Sequence, residues 1–197
     1  MSMFLGPVHY WLYGKIGNQE GLTRLFAESA LEDGRLDDIS GYVSELPPLE
    51  TVIDEGNIHG WLQSRIGDAE RRYAALVIAL TSKDPGAIDS LTEEAYAFGA
   101  QHALPEGTAP AEAYKAFEDF FVNGMPCDQV NLVTENTDQA LSWEQTQDLH
   151  AGAWASQGGD VSTYYQLRKS VMDGMLSGSG LQLSMPDTDH YTIELAR

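Results

Sequence analysis

Apolar residues along this chain recur mostly three and four positions apart, which is the repeat of an amphipathic helix. The clearest stripe is Ile58, Leu62, Ile66, Ala69, Tyr73, Leu76, Val77 and Leu80. It predicts a helix capped by Asn57 that stops near Ser82 to Asp84, before Pro85-Gly86. An earlier helix is predicted from Pro7 to Leu31, because proline at the first helical position has no amide hydrogen to lose, although Gly14, Gly17 and Gly21 weaken its middle. Further helices are predicted over Leu36 to Leu46, ended by Pro47-Pro48, over Ala87 to Ala103, ahead of Pro105, and over Pro110 to Gly124. Met125 to Ala140 is polar and unpatterned and reads as a surface loop. Helix resumes around Ser142 and runs to Ser177, split in two by Gly158-Gly159-Asp160.

The period then changes. Leu181 to Met185 and Tyr191 to Leu195 alternate apolar and polar around a Pro186-Asp187-Thr188-Asp189 turn, the pattern of a β-hairpin. A lone hairpin is marginal in water, so it must pack on the helices or pair with another subunit. The expected fold is mainly α: a bundle of six or seven helices over residues 1–177, with residues 178–197 forming a small C-terminal β-hairpin appended to the same domain.

Two of the helix starts are copies of each other. At an offset of fifty, residues 6–20 and 56–70 share Gly-x-(Val/Ile)-His-x-Trp-Leu-x-x-(Lys/Arg)-Ile-Gly-(Asn/Asp)-x-Glu, with seven of fifteen positions identical. The identical pairs include His9 and His59, Trp11 and Trp61, and Glu20 and Glu70. On a helix the His, Leu, Ile and Glu of each copy fall on one face, but His and Glu stand about 16 Å apart along the axis. One copy therefore cannot build a compact His/Glu site. Antiparallel packing of the copies would set the His of one against the Glu of the other, whereas parallel packing would set His beside His. Each His lies in the first turn, where free amide hydrogens and the positive dipole end favour neutral imidazole, the form that binds metals or acts as a base.

Composition narrows the field. With 43% hydrophobic and 10% aromatic residues over 197 positions, the chain can bury a substantial core. Thirty acidic against eleven basic residues give a formal charge of −19, which repels phosphate backbones and anionic lipid headgroups and argues against nucleic acid or membrane partners. The longest apolar run, Tyr73 to Leu80, is far short of a membrane span, and the first residues lack the features of a secretory signal. Together with a single cysteine, this leads to the expectation of a cytoplasmic protein.

The candidate chemistry is a metal centre in which His9, His59 and His150 supply imidazoles and Glu20, Glu70 or Cys127 complete the shell, a donor set suited to zinc or iron. An open coordination position would make it an enzyme. The Glu-x-x-His spacing of di-iron bundles is absent, since Gln147 precedes His150 and Gly99 precedes His102. Nucleotide-binding glycine loops, nucleophile elbows and His-Glu-x-x-His are absent too. Two other classes compete. One is a non-catalytic scaffold or interaction protein with structural His and Trp; a homodimer is compatible with each class. The other is a small-molecule binder lined by Trp11, Trp61 and Trp154. Tyr164-Tyr165-Gln166-Leu167-Arg168 offers an aromatic wall with one cation for an anionic ligand, or simply core and rim, and His102 and His190 receive no role.

Overall fold

The computed structural model describes residues 5–196. Two long helices, α1 (Pro7–Glu32) and α2 (Ile58–Lys83), carry the repeated segments at their starts. Shorter helices follow: α3 (Ala87–Ala100), α4 (Pro110–Phe120), α5 (Ala151–Ser156) and α6 (Ser162–Met175). Four strands, β1 (Asn131–Asn136), β2 (Ala140–Gln145), β3 (Leu181–Ser184) and β4 (His190–Leu195), form one antiparallel sheet in the order β1-β2-β4-β3. No helix among the described residues is long and apolar enough to cross a membrane.

The repeated helices run in the same direction at nearly even register. His9 lies beside His59, Tyr13 beside Trp61, Glu20 against Arg72 and Phe26 beside Tyr73. Leu12, Ile16, Leu62 and Ile66, the central residues of the duplicated stripe, are buried together with Ile58, Ala69 and Val122 in a small core of their own. Farther along, α1 and α2 join a larger core that reaches through α3, α4 and α6 to the sheet. Helices α3 and α6 pack backbone against backbone. A Cβ on Gly99 would stand 2.0 Å from the Val171 carbonyl oxygen, and one on Gly174 would stand 2.1 Å from that of Tyr96. Only glycine permits backbones to meet so closely.

The sheet exceeds the expected hairpin. The β3–β4 pair is present, but β4 also pairs with β2, aligning Trp143 with Tyr191 and Leu141 with Ile193. Residues 140–145 therefore form a strand across the point, near Ser142, where a helix is expected to begin. Their alternation decides it: Leu141, Trp143 and Gln145 are buried, while Ser142 and Glu144 are half-buried on the other face. Residues 131–136, expected to be loop, form the edge strand β1, closed by a turn in which the Thr137 hydroxyl accepts from the Gln139 and Ala140 amides. The inner face of the sheet packs on α4, with the Tyr114 and Phe117 rings against Trp143.

The helix expected over Leu36 to Leu46 does not form. The Asp38 carboxylate captures the Ser40 amide and hydroxyl and offers the backbone a turn in place of a helical bond. What remains is an irregular return path, with one short 3-10 turn at Leu49–Thr51, that carries the chain back to the start of α2.

Candidate functional site

The proposed metal ligands occupy two separate regions. At the head of the paired helices, His9 is buried at 3% exposure and its Nδ1 accepts the Gly6 amide at 2.9 Å. The His59 ring centre lies 5.6 Å away at a 58° tilt, with His59 exposed. The difference follows from the caps: His9 is the third helical residue of its copy, whereas Asn57 caps the second copy through the Gly60 amide and makes His59 the second. Exposed Cys127 and half-buried Met125 face the same shallow pocket of about 420 Å³. Because Nδ1 of His9 accepts a hydrogen bond, the proton of its neutral ring sits on Nε2, which has no partner among the described residues.

The two repeated glutamates lie far down the helices and are buried alike at 4% exposure, yet each meets a different group. Glu20 Oε1 takes Arg72, and Glu70 Oε1 stands 3.2 Å from His150 Nδ1, without the alignment of a hydrogen bond. His150, at 1% exposure, stacks on the Tyr164 ring with centres 4.0 Å apart. No group of three His, Cys, Asp or Glu residues among the described residues is close enough to hold a metal ion. The tryptophans are dispersed as well: Trp11 donates to Asp119, Trp61 lies against Tyr13, and Trp154 is fully buried beside Tyr73.

A different set of residues does converge. A cleft of about 380 Å³, measured out to its open mouth, lies between α1, α4 and α6, with Phe98, Phe120, Phe121, Tyr73 and Tyr164 in its walls. Arg168, on α6, forms part of the same wall. Its side chain is 5% exposed, and its guanidinium carbon sits 5.2 Å from the Phe121 ring centre and 6.0 Å from that of Tyr191. Its one side-chain hydrogen bond among the described residues is a long 3.5 Å contact to Gln145 Oε1, and its Nε has none. Gln19, one turn before Thr23 on α1, lines the cleft too and leaves its Nε2 buried without a partner. Buried donors without partners are uncommon, and here two of them border one opening.

The tyrosines reinforce this polarity. Burial pushes the Tyr164 hydroxyl well above its ordinary pKa; Arg168 opposes this shift and the Glu70 charge adds to it. Tyr73 is raised by burial and then by Glu70. Both keep their protons at any ordinary pH and serve as neutral donors. The cleft therefore has apolar aromatic walls, and the two fully buried atoms without partners at its border, Arg168 Nε and Gln19 Nε2, are both donors, which suits an anion on a flat apolar body. The Tyr-Tyr-x-x-Arg spacing was a visible signal for this wall. Gln19 and the phenylalanines of α3 and α4 had none, because they are distant in sequence and meet only through packing. No family model, curated protein or solved structure matches this chain.

Proposed function

We propose that the chain binds a small anionic ligand with an aromatic or similarly flat apolar body, held in the cleft between α1, α4 and α6. Arg168 meets the anion, Gln19 and the tyrosine hydroxyls assist, and Phe98, Phe120 and Phe121 enclose the ring. One observation carries this reading: a guanidinium 95% removed from solvent with no carboxylate paired to it among the described residues. A buried charge is ordinarily matched by an opposite one, and a ligand anion would supply the match.

The test is a thermal-shift and calorimetric screen of aromatic carboxylates against their neutral amide analogues. Carboxylates are expected to bind and the amides to bind far less well. Arg168→Met is expected to weaken binding at least about thirty-fold, as loss of one partner from a buried charge pair costs about 2–5 kcal/mol. Equal binding by wild type and Arg168→Met, or a panel in which only neutral compounds bind, refutes the proposal.

A metal centre is the second reading, favoured by the separation of His9 and His59. Two imidazoles on one ion, each nitrogen about 2 Å from it, place their ring centres about 5–6 Å apart, and these stand at 5.6 Å. Ligation through Nε2 of His9 would require the Gly6 bond to be given up and the ring proton to move. Tag-free protein carrying no stoichiometric zinc or iron, and gaining no thermal stability from either, removes this reading.

A further inference from the structure

Four lysines are present in the whole chain, and three of them have evident partners. Lys83 donates to the Arg35 carbonyl, Lys115 to Asp119, and Lys169 to Asp173. Lys15 is the exception. It is buried at 4% exposure, and its amine donates no hydrogen bond among the described residues. The amine lies 4.0 Å from the centre of the Trp11 ring, which replaces part of the lost hydration.

Lys15 borders a polar pocket of about 410 Å³, separate from the aromatic cleft, formed where α1 meets α4 and the 123–131 segment. Glu118 lines it and is held in place by a relay: Asn123 donates to Asn131, which donates to Glu118 Oε1 at 2.7 Å. Glu118 Oε2 stays free of this relay, and the buried Oδ1 of Asn123 has no donor. A primary amine, a carboxylate and a spare acceptor thus border one small polar pocket.

We propose that Lys15 is a carbonyl-binding amine that takes small polar aldehydes into this pocket as a reversible imine. The amine lone pair attacks the carbonyl carbon and forms the C–N bond, and Glu118 Oε2 relays the nitrogen proton so that a carbinolamine results. The nitrogen lone pair then forms the C=N bond as the C–O bond breaks, and the same carboxylate takes the remaining N–H proton and passes it to the departing hydroxyl, leaving a neutral imine and water. Asn123 Oδ1 accepts from a hydroxyl of the aldehyde. The chemistry suits the groups facing the amine. Burial lowers its pKa to about 8; Glu118 opposes this, Arg168 on α6 adds to it, and Asp119 opposes it. Near that pH about half of the Lys15 amines are unprotonated, roughly a hundredfold more than for a lysine at the ordinary value of about 10.4.

The experiment treats the native full chain with glycolaldehyde and sodium cyanoborohydride over a pH series and maps modification by peptide mass. The other three lysines act as internal references. Lys15 is expected to be modified at least about tenfold faster than Lys83, Lys115 or Lys169 near pH 8, with a half-maximum near that value, while the others rise only toward the ordinary lysine range. In urea the preference should vanish. Lys15→Arg should remove the fast site while leaving the three slow ones unchanged. Modification of Lys15 at the rate of the exposed lysines or slower, or a pH profile that matches theirs, overturns the proposal.

Discussion

Replacing Arg168 by methionine should make the unliganded protein more stable. The guanidinium is 5% exposed, and burial of such a charge costs several kcal/mol even after relaxation. Against this stand the faces of Phe121 and Tyr191, at 5.2 and 6.0 Å, the second at the outer limit for such a contact, contributing about 1–2 kcal/mol each. The 3.5 Å contact to Gln145 adds less than the roughly 1 kcal/mol of a well-formed hydrogen bond. Methionine fills much of the same volume, needs no partner and adapts to irregular space. Gln145 keeps its bond to the Tyr165 hydroxyl and loses only the long one. The balance favours the variant by about 1–3 kcal/mol, or a rise in Tm of roughly 2–12 °C for a chain of this size. Urea unfolding followed by circular dichroism, with calorimetry on the same samples, measures both. A variant destabilised by about 2 kcal/mol or more would mean that the aromatic faces make Arg168 a structural strut. The case for a waiting anion site would then lose its foundation.

Other substitutions probe the frame around that cleft. Glu70→Ala removes the carboxylate that stands 3.2 Å from His150 Nδ1 and should cost about 1–3 kcal/mol, whereas joint replacement of Glu70 and His150 by leucine should recover most of the loss in a double-mutant cycle. Gly174→Ala drives a methyl into the Tyr96 carbonyl oxygen and the Ala100 nitrogen, so denaturant unfolding should show a loss of at least about 1–3 kcal/mol. His190, whose ring nitrogen meets Asp187 at 2.9 Å, has a pKa raised above its ordinary value by that bond and by the Asp187 charge. Its contribution to the β3–β4 turn is therefore complete below the unfolded value and fades as pH rises through the folded one. An NMR titration should place His190 above about 6.5 in wild type and return it toward that value in Asp187→Asn.

How much of this was legible beforehand depended on whether the signal was local. The two long helices follow from stripes of three- and four-residue spacing, and α2 begins and ends where Asn57 and Pro85 predict. Helix geometry alone offers His beside His as the outcome of parallel packing, and the paired helices are parallel. The β1–β2 hairpin was missed because its outer strand is almost wholly exposed and carries no alternation of burial, so only β2 held a strand signal, in six residues flanked by helix-compatible sequence. The 36–46 segment misled because its apolar spacing fits a helix while Asp38 supplies a competing local bond. The cleft was the least legible part: Gln19, Tyr73, Phe98, Phe120 and Arg168 come from five different helices, and nothing in their local sequence links them.

The position of β4 has a consequence for how the molecule is made. Ala140 pairs with Glu194, so a central seam of the sheet joins residues more than fifty apart, and β4 is the last of the strands to be synthesised. β2 and β3 are synthesised before the neighbour that lies between them, so the nascent chain lacks the Tyr191 ring that stacks on Trp143 until β4 has emerged. Local helices can form early, but the sheet must wait. A chain stalled shortly before that point would carry two orphan edges, and such intermediates are the ones chaperones would be expected to hold.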